Sequence, residues 1–174
     1  MKDPLHHDPV DRVGEAYERM LERAMEDFRA VREKTGPALH KLIDKARDTA
    51  VELGELSGEE ADRLSAYLKR DLTDAAGYMA ETGDELRNWL GFETRLIENK
   101  ALELFMRAAD KTTVELLALK QQAQQASGYH TGEVTGPGML VCDECGATLH
   151  FHKAGKIPPC AKCHASAFHR PGYS

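Results

Sequence analysis

The sequence predicts a mainly α chain: an elongated antiparallel helical hairpin or bundle over residues 1–128, followed by a small β module over residues 129–174. Three observations predict it. Apolar residues recur at three- and four-residue steps through the first part of the chain, the periodicity of amphipathic helices. No proline occurs between Pro37 and Pro137, so nothing there forbids long helices. Beyond Gly128 the composition turns to glycine, proline and short alternating segments, and all four cysteines of the chain fall there, as Cys142-x-x-Cys145 and Cys160-x-x-Cys163.

Asp8-Pro9 opens the first helix, with Asp8 as cap and Pro9 at the first helical position, where its missing N–H is not needed. Val10, Val13, Tyr17, Met20, Ala24, Phe28 and Val31 form one apolar stripe, and Glu15–Arg19 and Arg29–Glu33 pair on the charged face. Thr35-Gly36-Pro37 ends it. A second helix carries Leu39, Leu42, Ile43, Ala46, Ala50 and Leu53 on one side and stops at Gly54. Ser57-Gly58-Glu59-Glu60 is a capping box. The third helix then turns Ala61, Leu64, Leu68, Leu72, Ala75 and Met79 inward. Thr82-Gly83-Asp84-Glu85 repeats the capping pattern before a fourth helix through Leu86, Leu90, Ile97, Ala101, Leu104 and Ala108, with Thr113 as the cap of a last segment to Gln125. Short connections favour antiparallel neighbours.

The C-terminal module reads as three short strands. Met139–Val141 enters the first cysteine pair, Thr148–His152 alternates with Leu149 and Phe151 inward, and Ala167–Arg170 returns with Phe168 inward. Gly146 follows Cys145 where positive φ is wanted, and His164 stands at the equivalent place after Cys163. Two Cys-x-x-Cys pairs at this separation are a metal-ligand pattern with few competitors. Each pair wraps one side of a tetrahedral ion, and four thiolates leave no open position for substrate. One structural Zn2+ held by Cys142, Cys145, Cys160 and Cys163 in a rubredoxin-like zinc ribbon is the expectation, with iron as the alternative that spacing does not exclude. So small a module has little core, and metal binding is expected to supply most of its folding energy.

Composition bounds the function. The net charge of −6 is uneven. Acidic residues exceed basic ones by seven up to Gly128, whereas Lys153, Lys156, Lys162 and Arg170 outnumber the acids of the module by one. A strong nucleic-acid binder usually shows a basic stripe, which this chain lacks. No segment has the apolar length of a signal peptide or a membrane span, so a cytoplasmic location is expected, and in a reducing compartment metal ligation accounts for the cysteines better than disulfides do.

Enzymatic readings find little support in the residues. A helical bundle joined to a four-cysteine module looks, in outline, like rubrerythrin, but its di-iron chemistry needs Glu-x-x-His pairs. The only histidine of the helices is His40, three residues after Pro37. A thioredoxin-type role for either cysteine pair would need a βαβ context that is missing. No Ser/His/Asp set, phosphate loop or paired-carboxylate cleft stands out, and no small-molecule substrate is identified. His130, His150, His152, His164 and His169 crowd the module; exposed strand and turn positions account for them better than a second metal site. Lys153, Lys156, Lys162 and Arg170 are candidate nucleic-acid or partner contacts. Trp89 and Phe92, clustered with Leu90 around Gly91, are candidate partner anchors on the arm.

With these residues in view, the chain resembles the bacterial YbeL-type family of zinc-ribbon proteins, in which an N-terminal helical region precedes a C-terminal ribbon. The resemblance is carried by Gly138-Met-Leu-Val-Cys142-Asp-Glu-Cys145 and Ile157-Pro-Pro-Cys160-Ala-Lys-Cys163, closing with Phe168, and extends loosely to the helices. His164 departs from the expected glycine. The resemblance implies metal binding at the four cysteines and implies no reaction. The functional expectation is therefore a non-enzymatic zinc-binding adaptor, with a helical arm that binds a protein or a second copy and a ribbon that serves as recognition tip. A nucleic-acid-associated factor using the ribbon in transcription or translation is the alternative. An iron-dependent redox protein of the rubrerythrin or rubredoxin type stands third.

Overall fold

The computed structural model describes residues 9–32, 36–82, 103 and 128–171. Three helices come first: α1 Pro9–Ala30, α2 Gly36–Glu52 and α3 Gly58–Thr82. The stripes foreseen from periodicity are the buried ones. Tyr17, Met20, Ala24 and Phe28 of α1, Leu39, Ile43 and Ala46 of α2, and Leu64, Leu68, Leu72 and Ala75 of α3 form a single apolar cluster. Ion pairs record the antiparallel arrangement. Along α1 and α2, Arg23 meets Glu55 just past the end of α2, while Asp27 meets Lys45; along α2 and α3, Asp44 meets Lys69 and Arg47 meets Asp62. Such surface pairs each contribute at most about 1 kcal/mol, so the register they mark is held mainly by the apolar cluster.

The capping box forms as the residues require. Ser57 Oγ accepts from Glu60 N at 3.2 Å, and Glu60 Oε2 accepts from Ser57 N at 3.1 Å. Leu53, expected on the inner face of α2, lies beyond its last turn and is 63% exposed, because Gly54 with φ +70° has already ended the helix. Of the expected fourth helix only residue 103 is described, and it is helical; Thr113, Trp89 and Phe92 lie outside the described residues.

Among the described residues, the second part of the chain has six strands rather than three: β1 Tyr129–His130, β2 Val134–Thr135, β3 Gly138–Cys142, β4 Thr148–Phe151, β5 Gly155–Lys156 and β6 Ala167–His169. They form a four-stranded antiparallel sheet in the order β1-β6-β3-β4 and a two-stranded ribbon β2-β5. The three extra strands have two residues each, too short for alternation to reveal. Tyr129, Leu140, Cys142, Ile157, Cys160 and Phe168 make the core of this module.

The module is docked on the helices. The small β2-β5 ribbon lies against α1 and α3, and Val134 and Ala154 belong to the helical apolar cluster. The docking is close at Gly14 of α1. A Cβ there would stand 2.3 Å from the Ala154 carbonyl oxygen and 3.0 Å from its carbon, both backbone atoms that cannot swing away. One turn later, Glu18 Oε1 accepts the Ala154 N–H at 3.2 Å.

A mid-helix glycine ordinarily costs about 1 kcal/mol relative to alanine. Here it admits the turn between β4 and β5. Gly14→Ala is therefore expected to destabilise the protein by about 1–3 kcal/mol, the usual cost of overpacking, despite the gain in helix propensity. Chemical denaturation measures this, and a stabilised Gly14→Ala variant would contradict the docking.

Candidate metal centre and ribbon–helix junction

Two tight turns of the same construction hold the four cysteines. In the first, Gly146 N donates to Cys142 O at 3.0 Å and Cys142 N to Ala147 O at 2.8 Å. In the second, His164 N donates to Cys160 O and Cys160 N to Ala165 O, both at 2.9 Å. Each turn needs a left-handed residue after its second cysteine. Gly146 supplies φ +71° and His164 supplies φ +62°, the one positive φ among the described non-glycine residues. Non-glycine residues adopt that region at a cost of about 1–2 kcal/mol, which explains the odd histidine without giving it a ligand role.

The turns face each other. Cys142 Sγ lies 3.5 Å from Cys163 Sγ and Cys145 Sγ 3.6 Å from Cys160 Sγ, and all four sulfurs fall within 4.8 Å of one another. A tetrahedral ion with metal–sulfur bonds of ~2.3 Å needs sulfurs ~3.8 Å apart. The four cysteines are thus positioned to hold a metal ion, and an all-thiolate tetrahedral set suits zinc. Cys142 and Cys160 are buried, Cys145 is half-buried and Cys163 exposed.

The thiols divide in their acidity. The N–H groups of Cys163 and Lys162 draw the Cys160 thiol down to about 6. Cys163 is pushed up to about 12: although the Ala165 N–H pulls it down, loss of solvent and the neighbouring thiols outweigh that pull. Four thiolates in this space need a cation among them, and metal binding would displace the protons. Among the described residues, no other group of three or more His, Cys, Asp or Glu side chains is placed to bind a metal. His40 stands apart on α2, half-buried, its pKa lowered first by burial and then by Lys69.

The remaining expected contacts are scattered. Lys153 follows β4, Lys156 lies on β5 beside the helices, and Lys162 sits inside the second cysteine turn, all three exposed. Arg170 is a correction. It is 2% exposed, with Nη2 on Thr135 Oγ1 at 2.7 Å and Nη1 on Met139 O at 3.3 Å, so it offers no surface contact. His150 and His152 are exposed on alternate positions around half-buried Leu149 and Phe151. His169 Nδ1 shares a hydrogen bond of 2.5 Å with Asp143 Oδ1 and ties β6 to the first cysteine turn.

Sequence reasoning missed the junction to which Arg170 belongs. Asp71 of α3 is fully buried. Its Oδ2 accepts Tyr17 Oη at 2.6 Å, Gly136 N at 2.7 Å and Thr135 Oγ1 at 3.3 Å. Arg70 Nε donates to Oδ1 at 3.3 Å, and Arg170 Nη2 stands 3.9 Å from it. Arg70 also reaches the Gly128 and Val134 carbonyls and Glu133 of the β module. The Tyr129 ring lies beneath both guanidinium groups, 4.0 Å from Arg70 and 4.9 Å from Arg170, and its hydroxyl donates to Asp74 of α3.

Burial, reinforced by Asp71, raises the Tyr17 pKa well above the ordinary value, and burial likewise raises that of Tyr129. Both hydroxyls therefore stay protonated as donors. Burial also raises the Asp74 pKa, while the Tyr129 hydrogen bond opposes the shift.

Comparison with known proteins agrees with this geometry. A family model described as "Zinc-ribbon containing domain" matches residues 26–171. Proteins named "Uncharacterized protein YbeL" from Escherichia coli strains K12, O6:H1 and O157:H7 are each 30% identical over 129 residues, covering 74% of this chain and 79% of theirs. No solved structure matches the chain.

His164→Gly is expected to stabilise the metal-loaded protein by about 1 kcal/mol without weakening metal binding, because glycine adopts the left-handed turn freely. Thermal denaturation with metal quantification checks both halves. Loss of bound metal in His164→Gly would mean that the imidazole contributes to ligation.

Proposed function

The chain belongs to the zinc-ribbon-containing family, and from that premise we propose that it is a non-enzymatic adaptor of the cytoplasm, built around one structural zinc. Cys142, Cys145, Cys160 and Cys163 would fill the coordination sphere, leaving no position for substrate or water. Zinc supplies charge neutralisation and folding energy in such a site. The ribbon would then be a rigid recognition element carried on the helices, and the helical region would bind a protein or a second copy of the chain. Thiols kept reduced in the cytoplasm favour that compartment. Among the described residues, no helix is long and apolar enough to cross a membrane.

One observation carries the preference for a protein partner over nucleic acid. Of the four cations that would make a basic face on the module, Arg170 is committed to the buried junction and Lys156 lies beside the helices. Lys153 and Lys162 remain, on separate turns, within a chain of net charge −6. Nucleic-acid binding draws most of its affinity from phosphate neutralisation, and two dispersed lysines supply little. A rubredoxin-type iron centre would use the same ligands and differ in colour.

The full chain, purified and analysed by metal quantification, is expected to carry one zinc per chain and to be colourless; a red protein holding iron would replace the reading with a redox one. Affinity capture from bacterial lysate with the zinc-loaded full chain is expected to retain protein partners after nuclease treatment and at raised salt. Partners lost under both conditions would favour the nucleic-acid reading, since phosphate contacts weaken steeply with salt.

A further inference from the structure

Where α1, α3 and the β2-β5 ribbon converge, a cavity of about 730 Å³ opens. That volume lies within the usual range for small-molecule sites, about 300–1,000 Å³. Its apolar lining comes from all three sides: Ala16 of α1, Leu64 and Tyr67 of α3, and Val134 of β2. Tyr67 is half-buried, and burial, its leading influence, raises its pKa, so the phenol remains a neutral donor beside an aromatic face.

The charges around the cavity look balanced by number and are not balanced by engagement. Among the acids, Glu55 holds the Arg23 guanidinium through two bonds of 2.7 Å, and Glu133 holds Arg70 at 2.8 Å. Both cations approach from outside the lining. Glu60 is spent on the capping box of α3, and Glu15 has an interaction of its own. Among the cations, Arg63 pairs with Glu59 on the exposed face of its own helix, and Arg19 reaches Glu55 at 3.8 Å. Arg12 of α1 and Lys156 of β5 have no ion-pair partner among the described residues, and they border the cavity from opposite components of the junction. An apolar and aromatic lining shared with two unengaged cations matches a ligand with a flat or apolar body and an anionic head.

We propose that this cavity binds a small amphipathic anion, an aromatic body bearing a phosphate or carboxylate, with the body against Tyr67, Leu64 and Val134 and the anion between Arg12 and Lys156. The site exists only while the ribbon is docked, because two of its walls are helical and the third is β2-β5. Occupancy would therefore stabilise the docked form by mass action. Binding in this cavity needs no protein partner, and an adaptor role needs no ligand in it.

The test titrates the zinc-loaded full chain by calorimetry with four probes. Adenosine monophosphate and 4-hydroxyphenylacetate carry both the ring and the anion, as phosphate or carboxylate. Adenosine and inorganic phosphate each lack one half. At least one of the two amphipathic anions is expected to bind with Kd below about 1 mM and at least about tenfold tighter than either half-probe. Which of the two binds identifies the head group. Lys156→Glu and Arg12→Glu, both exposed substitutions, are each expected to weaken that binding by about tenfold, the loss of one charge-assisted contact. Thermal denaturation without ligand verifies that both variants fold. Failure of both amphipathic anions to bind, half-probes that bind as tightly, or charge-reversed variants that bind as the parent does would each overturn the proposal.

Discussion

The buried carboxylate of Asp71 is the constraint on which the arrangement of this protein turns. A carboxyl group placed out of water is tolerable only if its oxygens are engaged, and the engagement must come from elements that can converge on it. Here α3 supplies the carboxylate and Arg70, α1 supplies Tyr17, the start of the β module supplies Gly136 and Thr135, and its end supplies Arg170. No element can leave without stranding a buried polar group. Breaking a buried pair by removing one partner typically costs about 3–5 kcal/mol. The network thus fixes where the module sits on the helices more than it adds to net stability, whereas Val134 and Ala154, inserted in the helical cluster, contribute the favourable burial.

This places the metal centre and the helices in one mechanical system. The chain bonds to Asp71 at Gly136, then runs directly into β3 and Cys142; after Cys163 it runs through β6 and Phe168 back to Arg170. The four-cysteine cluster brings these two paths together at one end, and the buried junction at the other. A structural ion of this kind contributes about 10–16 kcal/mol of apparent binding energy in small modules, and that energy is folding energy. Its loss would release both strands that deliver polar groups to Asp71. The fold of the ribbon, the cavity beside Lys156 and the docking on the helices would all depend on the same four sulfurs.

How much of this the sequence discloses follows from what each signal encodes. The helical stripes were legible because burial at a helical period repeats over many residues. The cysteine turns were legible because Cys-x-x-Cys followed by Gly146 describes its own hydrogen bonding, and His164 could be matched to it by position. Strands β1, β2 and β5 were not, since two residues carry no period. Arg170 was misread because a lone arginine is ordinarily solvated, and only tertiary structure shows that Asp71 awaits it.

Asp71 itself left a trace. It falls on the Leu64, Leu68, Ala75 stripe, where a charged residue has no business unless another element meets it. Gly14 left one too, as a glycine on the Tyr17, Leu21, Ala24 face, marking a close approach. The elongation expected of the helical region, together with Trp89 and Phe92, falls on residues beyond those described.

Amide hydrogen exchange on the full chain, with metal bound and after chelation, tests the coupling of metal to helices most directly. The account predicts that stripping the metal lowers protection in the β module and also around Asp71 of α3 and Tyr17 of α1, with the remote α2 amides near Ile43 least affected. Helical protection that stays unchanged while the β module opens would contradict it, and would make the junction a passive contact between independent parts.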